Sequence, residues 1–511
     1  MQWVFLLLFF FLFLQAEFGG ADKLGHPVKL FLEIDPLLML STFLSGRSAP
    51  GNVGLCLVVV GATMLLGRVF CGWVCPLGTL HHIFGAMKSW KGVQRVRGWF
   101  RVKYLLLAFL LAGSLVGIQL TGIFDPMSLL TRHVTVGVNP AVNYAVNGVV
   151  DSAYAADSGW LAALADPVRA FLKKTILAFR QPYFAQGGLM SLLLLAALLL
   201  NLAERRFWCR YICPLGALLG LLGRWAPFKR KLSESCNSCG LCDRKCHGGV
   251  KSDAWAASEC LYCMACTEEC PKYAVSFGFS VKPADEPVSV GRREVLLAGG
   301  AGLASVAVSR ATPVFDPGRP NPSLIRPPGA LPEMDFLARC VKCGECLKVC
   351  PTNGLQPTLL EAGLEGVWSP LLDPLRGYCE YNCTLCGQVC PTGAIQRLAL
   401  EQKKEWRIGT AMFDRSRCLP YAHYENCMVC EEVCPTPKKS IWFRDIDAKD
   451  RNGDTKTIKR PFVDLKLCTG CGICVNKCPI VDAPGIRVTS IGETRSKKNR
   501  LLLDDVGGSP Y

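Results

Sequence analysis

Histidine and charged residues are scarce in this sequence, and several familiar catalytic motifs are missing. Six histidines in 511 residues are too few for a large histidine-ligated metal protein or a multihaem protein, and no Cys-x2-Cys-His segment provides a covalent haem site. The glycine-rich stretch 299–305 follows no strand signal and has no acidic partner, which excludes a nicotinamide or flavin site there. No Ser/His/Asp or paired-carboxylate arrangement indicates a hydrolase.

The low charge is matched by a high apolar content. Only 19% of the residues are charged, 50% are hydrophobic and the mean hydropathy is +0.26. A soluble enzyme of this size normally carries more charge, so this composition predicts membrane segments. Lys and Arg total 57 against 41 Asp and Glu, a net charge of +16. Because the basic residues sit at the edges of apolar runs, nucleic acid is not an expected partner.

Four apolar runs cover residues 3–18, 53–69, 104–122 and 187–203. Their lengths approach the roughly 20 residues that cross a bilayer, so they predict four membrane helices. For the first run a secretory signal peptide is the alternative, although it lacks a basic start and a clear cleavage site. The loops after the second and fourth runs are the most basic, which predicts that both ends of this unit face the cytoplasm.

A fifth, weaker apolar stretch lies at 290–308 and begins with Arg292-Arg293. Paired arginines before a short, mildly hydrophobic run are typical of a twin-arginine export signal. A basic flank on a weak membrane helix is the alternative. We therefore predict a signal or anchor helix at 288–310, followed by a Pro-rich linker at 311–333 with no core of its own.

Cysteine is the most abundant chemical signal, with 29 residues. Twenty-four of them fall into six groups of four, and five of these groups end in Cys-Pro. The groups are Cys236, Cys239, Cys242 and Cys246; Cys260, Cys263, Cys266 and Cys270; Cys340, Cys343, Cys346 and Cys350; Cys379, Cys383, Cys386 and Cys390; Cys418, Cys427, Cys430 and Cys434; and Cys468, Cys471, Cys474 and Cys478.

Four of the groups have the spacing Cys-x2-Cys-x2-Cys-x3-Cys, which is typical of [4Fe–4S] ligands. Three closely spaced thiolates bind three corners of a cubane, and the fourth Cys usually reaches the neighbouring cluster. We therefore predict six [4Fe–4S] clusters with crossed ligands. Structural zinc favours two separated Cys-x2-Cys pairs, and disulfides do not explain the repetition. The predicted ligand sets are set I (Cys236, Cys239, Cys242, Cys270), set II (Cys260, Cys263, Cys266, Cys246), set III (Cys340, Cys343, Cys346, Cys390), set IV (Cys379, Cys383, Cys386, Cys350), set V (Cys418, Cys427, Cys430, Cys478) and set VI (Cys468, Cys471, Cys474, Cys434). The longer openings of the fourth and fifth groups leave a rearrangement at Cys379 or Cys418 as the alternative.

Four of the remaining cysteines form a repeat, Cys71-x3-Cys75-Pro-Leu-Gly and Cys209-x3-Cys213-Pro-Leu-Gly. The repeat predicts two similar halves whose thiols face each other. Such thiols could bind a further metal centre, form a dithiol redox pair or pass electrons to a cluster; two structural turns with inert thiols are the alternative. Cys56 lies within an apolar run and is predicted to be a small core residue.

These motifs resemble a known family pair. Residues 1–280, with FCGWVCPLG, WCRYICPLG and two cluster motifs, resemble NapH-type membrane ferredoxins. Residues 290–480, with the paired arginines, RGYCEYNCTLCGQVCP and ENCMVCEEVCP, resemble polyferredoxins of the NapG/MauM type. The resemblance implies a fusion that takes electrons from quinol and delivers them to a periplasmic reductase or cytochrome. His247 departs from the pattern, because Pro follows the last Cys of the other groups.

The sequence thus predicts an α-helical membrane bundle of four helices plus a fifth, carrying small α+β ferredoxin-like [4Fe–4S] domains. The predicted segments are a membrane domain at 1–227, a two-cluster domain at 228–280, the signal helix and linker, a four-cluster domain at 334–490 and a tail at 491–511. The predicted location is the bacterial inner membrane, multi-pass, with the last domain periplasmic and with membrane lipid and the quinone pool as partners.

The predicted function is membrane-anchored electron transfer, as a component of quinol oxidation. Copper-centre maturation or copper reduction, by likeness to NosR-type and CcoG-type proteins, is one alternative. A membrane-anchored cytoplasmic polyferredoxin is another. No catalytic residue is evident; Asp125 and His133 are candidate proton acceptors, with ordinary polar residues at a helix end as the competing interpretation.

Overall fold

The computed structural model describes most of the chain. The described residues are 1–48, 51, 53–87, 99–156, 166–173, 177–178, 180–250, 255–280, 290–310, 321–449, 455–496 and 498–499. The basic loop at 88–98, the first ten residues of the predicted linker, and residues 497 and 500–511 of the predicted tail lie outside them.

Longer helices occupy the first 223 residues and one later segment. They are Gln2–Gln15, Pro36–Gly46, Val53–Leu66, Pro76–Ala86, Phe100–Leu115, Pro126–His133, Asn139–Ala155, Gly187–Leu199, Pro214–Gly223 and Arg292–Arg310. Short helical turns connect them at Leu30–Glu33, Thr121–Phe124 and Leu200–Leu202, together with the π-helical turns Phe70–Val74, Val134–Val138 and Trp208–Ile212. We call the part formed by residues 1–227 the helical unit.

The prediction of a membrane bundle is wrong. In the part of the chain that the structure describes, no helix combines the length and the apolar character needed to cross a bilayer. The run at 104–122 gives the 16-residue helix Phe100–Leu115, and the run at 187–203 gives the 13-residue helix Gly187–Leu199. At 1.5 Å per residue these helices are only about 20–24 Å long. Gly67 and Gly117, both at positive φ, lie just beyond the ends of Val53–Leu66 and Phe100–Leu115.

The same finding overturns the predicted location. A multi-pass arrangement in the inner membrane requires several spanning helices, and the described residues contain none. Apolar side chains such as Trp3, Leu7 and Leu192 are nevertheless exposed on the helices that were predicted to span.

Four helices begin at a proline that follows a capping side chain. Asp35 accepts hydrogen bonds from the backbone N–H groups of Leu37 and Leu38, at 2.9 and 3.2 Å, and Asp125 caps Pro126–His133 in the same way. Cys75 and Cys213 occupy the equivalent position before Pro76–Ala86 and Pro214–Gly223. Proline fits the first helical position because its missing N–H would have no partner there.

Two small modules carry the predicted cluster cysteines. The two-cluster module, residues 228–280, has the antiparallel strands β1 (Phe228–Leu232) and β2 (Val275–Phe279), with helical turns at Leu241–Arg244 and Ala265–Glu268. The strands of the four-cluster module, residues 321–499, are β3 (Leu355–Pro357), β4 (Pro370–Leu372), β5 (Thr410–Phe413), β6 (Ile441–Lys449), β7 (Thr455–Val463) and β8 (Ile486–Thr489). They form three antiparallel pairs, β3–β4, β5–β8 and β6–β7.

Helical turns surround these strands in the four-cluster module. They are Glu333–Arg339, Glu345–Lys348, Gly363–Gly366, Leu385–Val389, Leu400–Glu405, Leu419–Ala422, Val429–Glu432 and Ile473–Asn476. One apolar core, which includes Phe336, Val349, Leu385, Val475 and Ile486, joins the turns to the sheets. Shared burial of this kind makes the module a single packed body.

The two modules contact the helical unit at different ends of the helix Phe100–Leu115. Near its start, Lys103 and Tyr104 bind Glu259 of the two-cluster module. Just beyond its end, the Gln119 carbonyl accepts a hydrogen bond from Lys342 of the four-cluster module. This 16-residue helix is about 24 Å long, so the two modules contact the helical unit at points separated by about that distance.

The predicted signal helix and linker occupy defined positions. Arg292–Arg310 is a 19-residue helix that packs on Phe100–Leu115, and a Cβ at Gly302 would lie 2.3 Å from the Phe109 carbonyl oxygen. An export role for Arg292-Arg293 stays a prediction. Within the predicted spacer, residues 321–333 are packed rather than extended, because Ile325 and Arg326 are each 1% exposed.

The loop after the first helix is attached to the four-cluster module. Asp22 accepts hydrogen bonds from the backbone N–H and the hydroxyl of Thr384, at 2.6 and 2.9 Å. Glu17 pairs with Lys348 at 3.0 Å. The beginning of the chain is therefore held by residues that come more than 330 positions later.

Candidate iron–sulfur centres

All 29 cysteines lie in the described part of the chain, and none of them forms a disulfide there. In the two-cluster module, the thiols of set II are neighbours. Burial raises the pKa of Cys260, and the nearby thiols of Cys246, Cys263 and Cys266 raise it further. Set I is more open: Arg230 donates to the Cys242 sulfur at 3.3 Å and also lies close to Cys270.

The four-cluster module brings thiols together in the crossed pattern. The pKa of Cys346 is well above its ordinary value because of burial and because Cys343, Cys340 and Cys390 are adjacent. Sets IV, V and VI show the same pattern: burial and neighbouring thiols raise the pKa of one thiol, and one of those neighbours is the last Cys of the partner group. The neighbouring thiols are Cys386 and Cys350, Cys430 and Cys478, and Cys474 and Cys434.

The sets are also close to one another. Cys386 of set IV lies beside Cys346 of set III, and Cys430 of set V lies beside Cys474 of set VI. The backbone N–H of Cys379 donates to the Cys471 carbonyl at 2.8 Å, so set IV adjoins set VI. The four sets therefore follow one another in the spatial order III, IV, VI, V.

The loops direct polar hydrogens at the sulfurs, as cluster ligands require. Backbone N–H groups donate to Cys246, Cys270 and Cys390 at 3.3–3.4 Å. Thr436 lies 3.2 Å from the Cys434 sulfur in a Cys-Pro-Thr segment. Hydrogen bonds to sulfur stabilise an anionic cluster and tune its potential, so these residues fit [4Fe–4S] groups.

No group of three or more His, Cys, Asp or Glu side chains in the described residues is arranged around a single metal ion. Each ligand of a cubane binds a different iron, so cluster ligands do not converge on one point.

The repeat cysteines also come together. Burial raises the pKa of both Cys75 and Cys213, and the next largest contribution in each case comes from the neighbouring Cys209 thiol, followed by Cys71. The predicted facing of the two Cys-x3-Cys-Pro segments is thus present in the structure. Cys56 is 5% exposed and lies in the helix Val53–Leu66, away from this group.

The two candidate proton acceptors have structural partners. His133 is 3% exposed and its Nδ1 lies 2.6 Å from the Leu129 carbonyl. Asp125 caps its helix and faces Asp35, and burial raises its pKa to about 6. Their arrangement matches the competing interpretation of polar residues at a helix end.

Two features were not predicted from the sequence. The Glu259 carboxylate is 5% exposed and binds Lys103, Tyr104 and Arg68. A cavity of about 1010 Å³ adjoins Cys263. His82 and His247 line this cavity, with ring centroids 4.5 Å apart. The sequence marked this cavity only through His247, which follows Cys246 where proline follows the last cysteine of the other groups.

The comparisons with known proteins identify 4Fe-4S binding domains in this chain. A family model described as a 4Fe-4S binding domain matches residues 49–100, 186–233 and 386–408, and a second 4Fe-4S binding domain matches 461–481. The chain is 35% identical over 211 residues to the methylamine utilization ferredoxin-type protein MauM of Methylorubrum extorquens, covering 40% of this chain and 90% of that protein.

Two further relatives come from Escherichia coli. The ferredoxin-type protein NapG is 31% identical over 169 residues, which cover 32% of this chain and 69% of NapG. A protein named "Putative electron transport protein YccM" is 30% identical over 239 residues, which cover 43% of this chain. The chain spans about half of YccM, 54% of its length. No solved structure matches.

The fold and cysteine sets define an iron–sulfur electron-transfer protein. The chain belongs to the ferredoxin-type proteins of the MauM and NapG kind, which carry 4Fe-4S binding domains. The predicted fusion with a NapH-type membrane unit is not shown by these relatives.

Proposed function

We propose that the protein relays electrons one at a time through six [4Fe–4S] clusters held by sets I to VI. The observation that carries the proposal is the adjacency of thiols from different sets, above all the backbone hydrogen bond between Cys379 and Cys471. A row of adjacent clusters passes electrons without any bond chemistry on the protein. When bound, each cluster supplies a one-electron redox couple; the chain supplies ligands, burial and hydrogen bonds.

A quinol is the donor that we propose for set II. The cavity beside Cys263 has about the volume that small-molecule sites have. Trp3 and Trp73 supply apolar walls, and His82 and His247 also line the cavity. Their imidazole nitrogens would hydrogen-bond to the hydroxyls of a bound quinol. Oxidation of one quinol releases two electrons and two protons, so the clusters would take the electrons singly while the protons leave to water.

The acceptor that we propose is another redox protein, a reductase or a cytochrome. Set V is the last set in the order III, IV, VI, V, and its Cys427 and Cys430 are only partly buried. A cluster at the end of the row and near the surface is the natural place for a partner to dock. The relative YccM carries an electron transport name, which supports the general role.

The donor proposal is tested by blocking the cavity. Gly85 lines it, and a Cβ there meets no atom within 4 Å, so Gly85→Trp places a ring in the cavity space. The matched control is Gly25→Trp, at an exposed glycine that also has free space. Anaerobic full-length protein is mixed with a reduced short-chain quinol, and cluster reduction is followed by absorbance and EPR.

We expect Gly85→Trp to lose reduction by quinol while keeping reduction by dithionite, and Gly25→Trp to keep both. Equal quinol reduction in the two variants would remove the cavity as the donor site. Iron analysis tests the count separately: sets I to VI need about 24 irons per chain.

A further inference from the structure

The Cys-x3-Cys-Pro repeat is longer than the cysteines alone suggest. Each copy has an arginine three residues before its first cysteine, giving Arg68-x2-Cys71-x3-Cys75-Pro and Arg206-x2-Cys209-x3-Cys213-Pro. Both arginines are 1% exposed. Fully buried arginine is rare unless an anion accompanies it, so this pair needs an explanation.

The two copies fold alike. Cys71 and Cys209 lie in the π-helical turns Phe70–Val74 and Trp208–Ile212. Cys75 and Cys213 then cap the next helices, and their sulfurs accept hydrogen bonds from backbone N–H groups of Gly78 and Gly216, at 3.4 and 3.2 Å. Each copy therefore offers two thiols beside a positively polarised helix start.

The arginines cross between the copies. Arg206 of the second copy donates to the Cys71 carbonyl of the first at 3.4 Å. Arg68 of the first copy reaches Gly216 of the second, where its Nη2 lies 2.7 Å from the position of an added Cβ. That same position is 3.5 Å from the Cys213 sulfur, so Arg68 stands beside a thiol of the other half.

Both guanidinium groups keep hydrogens without a partner. The Nε and Nη2 atoms of Arg68 and of Arg206 are buried and have no hydrogen-bond acceptor within the described residues. Leaving a buried donor unsatisfied costs about 1–3 kcal/mol, and more for a charged group. Four such atoms around four thiols indicate that an acceptor-rich anion belongs between them.

The local charges lead to the same conclusion. Arg68, Arg206 and Lys103 are buried cations, whereas Glu259 is the buried carboxylate paired with Arg68 and Lys103. Two positive charges are left without a counter-charge in this group. An oxidised iron–sulfur cluster held by four thiolates carries about two negative charges, and its sulfides accept hydrogen bonds.

We propose that Cys71, Cys75, Cys209 and Cys213 hold a further iron–sulfur cluster, with Arg68 and Arg206 as its hydrogen-bond donors. The 4Fe-4S binding family model matches residues 49–100 and 186–233, and each stretch contains one copy of the repeat. One copy supplies only two ligands, so a complete cluster requires both. A dithiol pair or inert turns would leave the two guanidinium groups without an anion.

The new centre adjoins set II. A Cβ at Gly72, next to Cys71, would lie 2.2 Å from the Leu261 carbonyl oxygen and 3.7 Å from the Cys263 nitrogen. Trp73 donates to the Tyr262 carbonyl at 2.9 Å. The cluster would therefore extend the row from set II into the helical unit, toward the four-cluster module.

The test is the variant Cys75→Ser/Cys213→Ser in the full-length chain. Serine is a good helix N-cap and can accept the same backbone hydrogen bonds, so both helices keep their starts. The matched control is Cys56→Ser, at a buried thiol outside the site. Iron, acid-labile sulfide, copper and zinc are counted after anaerobic purification, without any quinol present.

We expect the double variant to lose about four irons and four sulfides for a cubane, or about two of each for a binuclear cluster. The control should lose none. Unchanged iron, or a loss of copper or zinc in place of iron, would overturn the proposal. A count on the unsubstituted chain gives support that does not depend on folding of the variant, because about 26 or 28 irons exceed the 24 that sets I to VI can hold. A count of 24 or fewer that stays the same in the double variant would overturn the centre.

A charge variant supplies the second readout. Arg206→Met removes one buried positive charge beside the repeat thiols, and Arg206 also acts on Cys263 of set II. The midpoint potentials of the new cluster and of set II should therefore both fall, while the other clusters keep theirs. If the repeat held no cluster, set II would be the only centre whose potential shifts. Failure of the six-cluster relay would instead appear as iron missing from sets I to VI, which Cys75→Ser/Cys213→Ser leaves intact.

Discussion

The two-cluster module and the four-cluster module use the same cysteine spacing in different surroundings. In residues 228–280 none of the eight cysteines is fully buried, and Cys239 is exposed. In the four-cluster module seven are buried, among them Cys343, Cys346 and Cys474. The first module rests on one two-stranded sheet, whereas the second shares an apolar core across four sets. Ligand spacing therefore specifies a cluster, and packing decides how far it is shielded.

The largest difference is expected when one ligand is removed from each module. Cys343→Ser removes a ligand that is 7% exposed and lies in the apolar core of the helical unit, so the free energy of unfolding should fall by more than about 4 kcal/mol. Cys239→Ser, at the exposed position, should cost only about 1–2 kcal/mol. Urea unfolding under anaerobic conditions measures both. Equal losses would mean that burial does not separate the modules.

The second comparison concerns the charges that join the modules to the helical unit. Glu259→Gln leaves Lys103 and Arg68 without their buried partner, which should cost about 3–5 kcal/mol. Glu294→Gln is the control, because its pair with Arg101 is 42% exposed on both sides. An exposed pair contributes at most about 1 kcal/mol. If the two variants unfold at the same urea concentration, the buried network does not hold the two-cluster module in place.

Acid should act on the helical unit through His81. Burial lowers the pKa of His81 to about 4, and its Nδ1 accepts a hydrogen bond from Asn201 at 2.7 Å. As pH falls, the unfolded chain binds this proton before the folded protein does. The contribution of neutral His81 to the free energy of unfolding is therefore complete above about pH 6.5 and is lost as pH falls toward 4. The expected loss is about 3 kcal/mol.

Unfolding free energies measured from pH 7 to 4 test this expectation. His81→Gln should make the decline across that window less steep, while His133, whose pKa burial also lowers to about 4, still contributes. His423→Gln, at an exposed histidine of the four-cluster module, is the control and should keep the decline of the unsubstituted protein. A decline that is as steep in His81→Gln would assign the acid sensitivity to other groups.

The smallest effects are expected at equivalent glycines of the two modules. Gly240 and Gly344 follow the second cysteine of their groups and have φ of 71° and 84°. Gly240→Ala meets no atom within 4 Å and should cost about 1 kcal/mol of backbone strain. Gly344→Ala would also bring its Cβ within 3.3 Å of the Arg132 Cα, so its cost should be larger, about 2 kcal/mol. Thermal unfolding of the two variants measures the difference.

The cysteine groups could be predicted from the sequence because their chemistry is local. Three ligands of each cluster come from one short loop, so spacing alone indicates the centre. The crossed fourth ligand is also recognisable, since Pro follows it in five groups. These thiols come together in the fold as the spacing suggested.

The apolar runs were misread for a physical reason. A hydropathy run does not show where a helix ends, and Gly67 and Gly117 follow the last turns of two helices at positive φ. The partners of Glu259 and the crossing of Arg68 and Arg206 are tertiary features. They join residues more than 130 positions apart, so no local pattern predicts them.

The contact between Asp22 and Thr384 gives the chain an order of events during synthesis. These residues are 362 positions apart. At about 5–20 residues per second, the ribosome needs on the order of half a minute to supply the partner of the first loop. Until then the loop that carries Asp22 stays undocked, so it is open to proteases and targeting factors until about three quarters of the chain has been made.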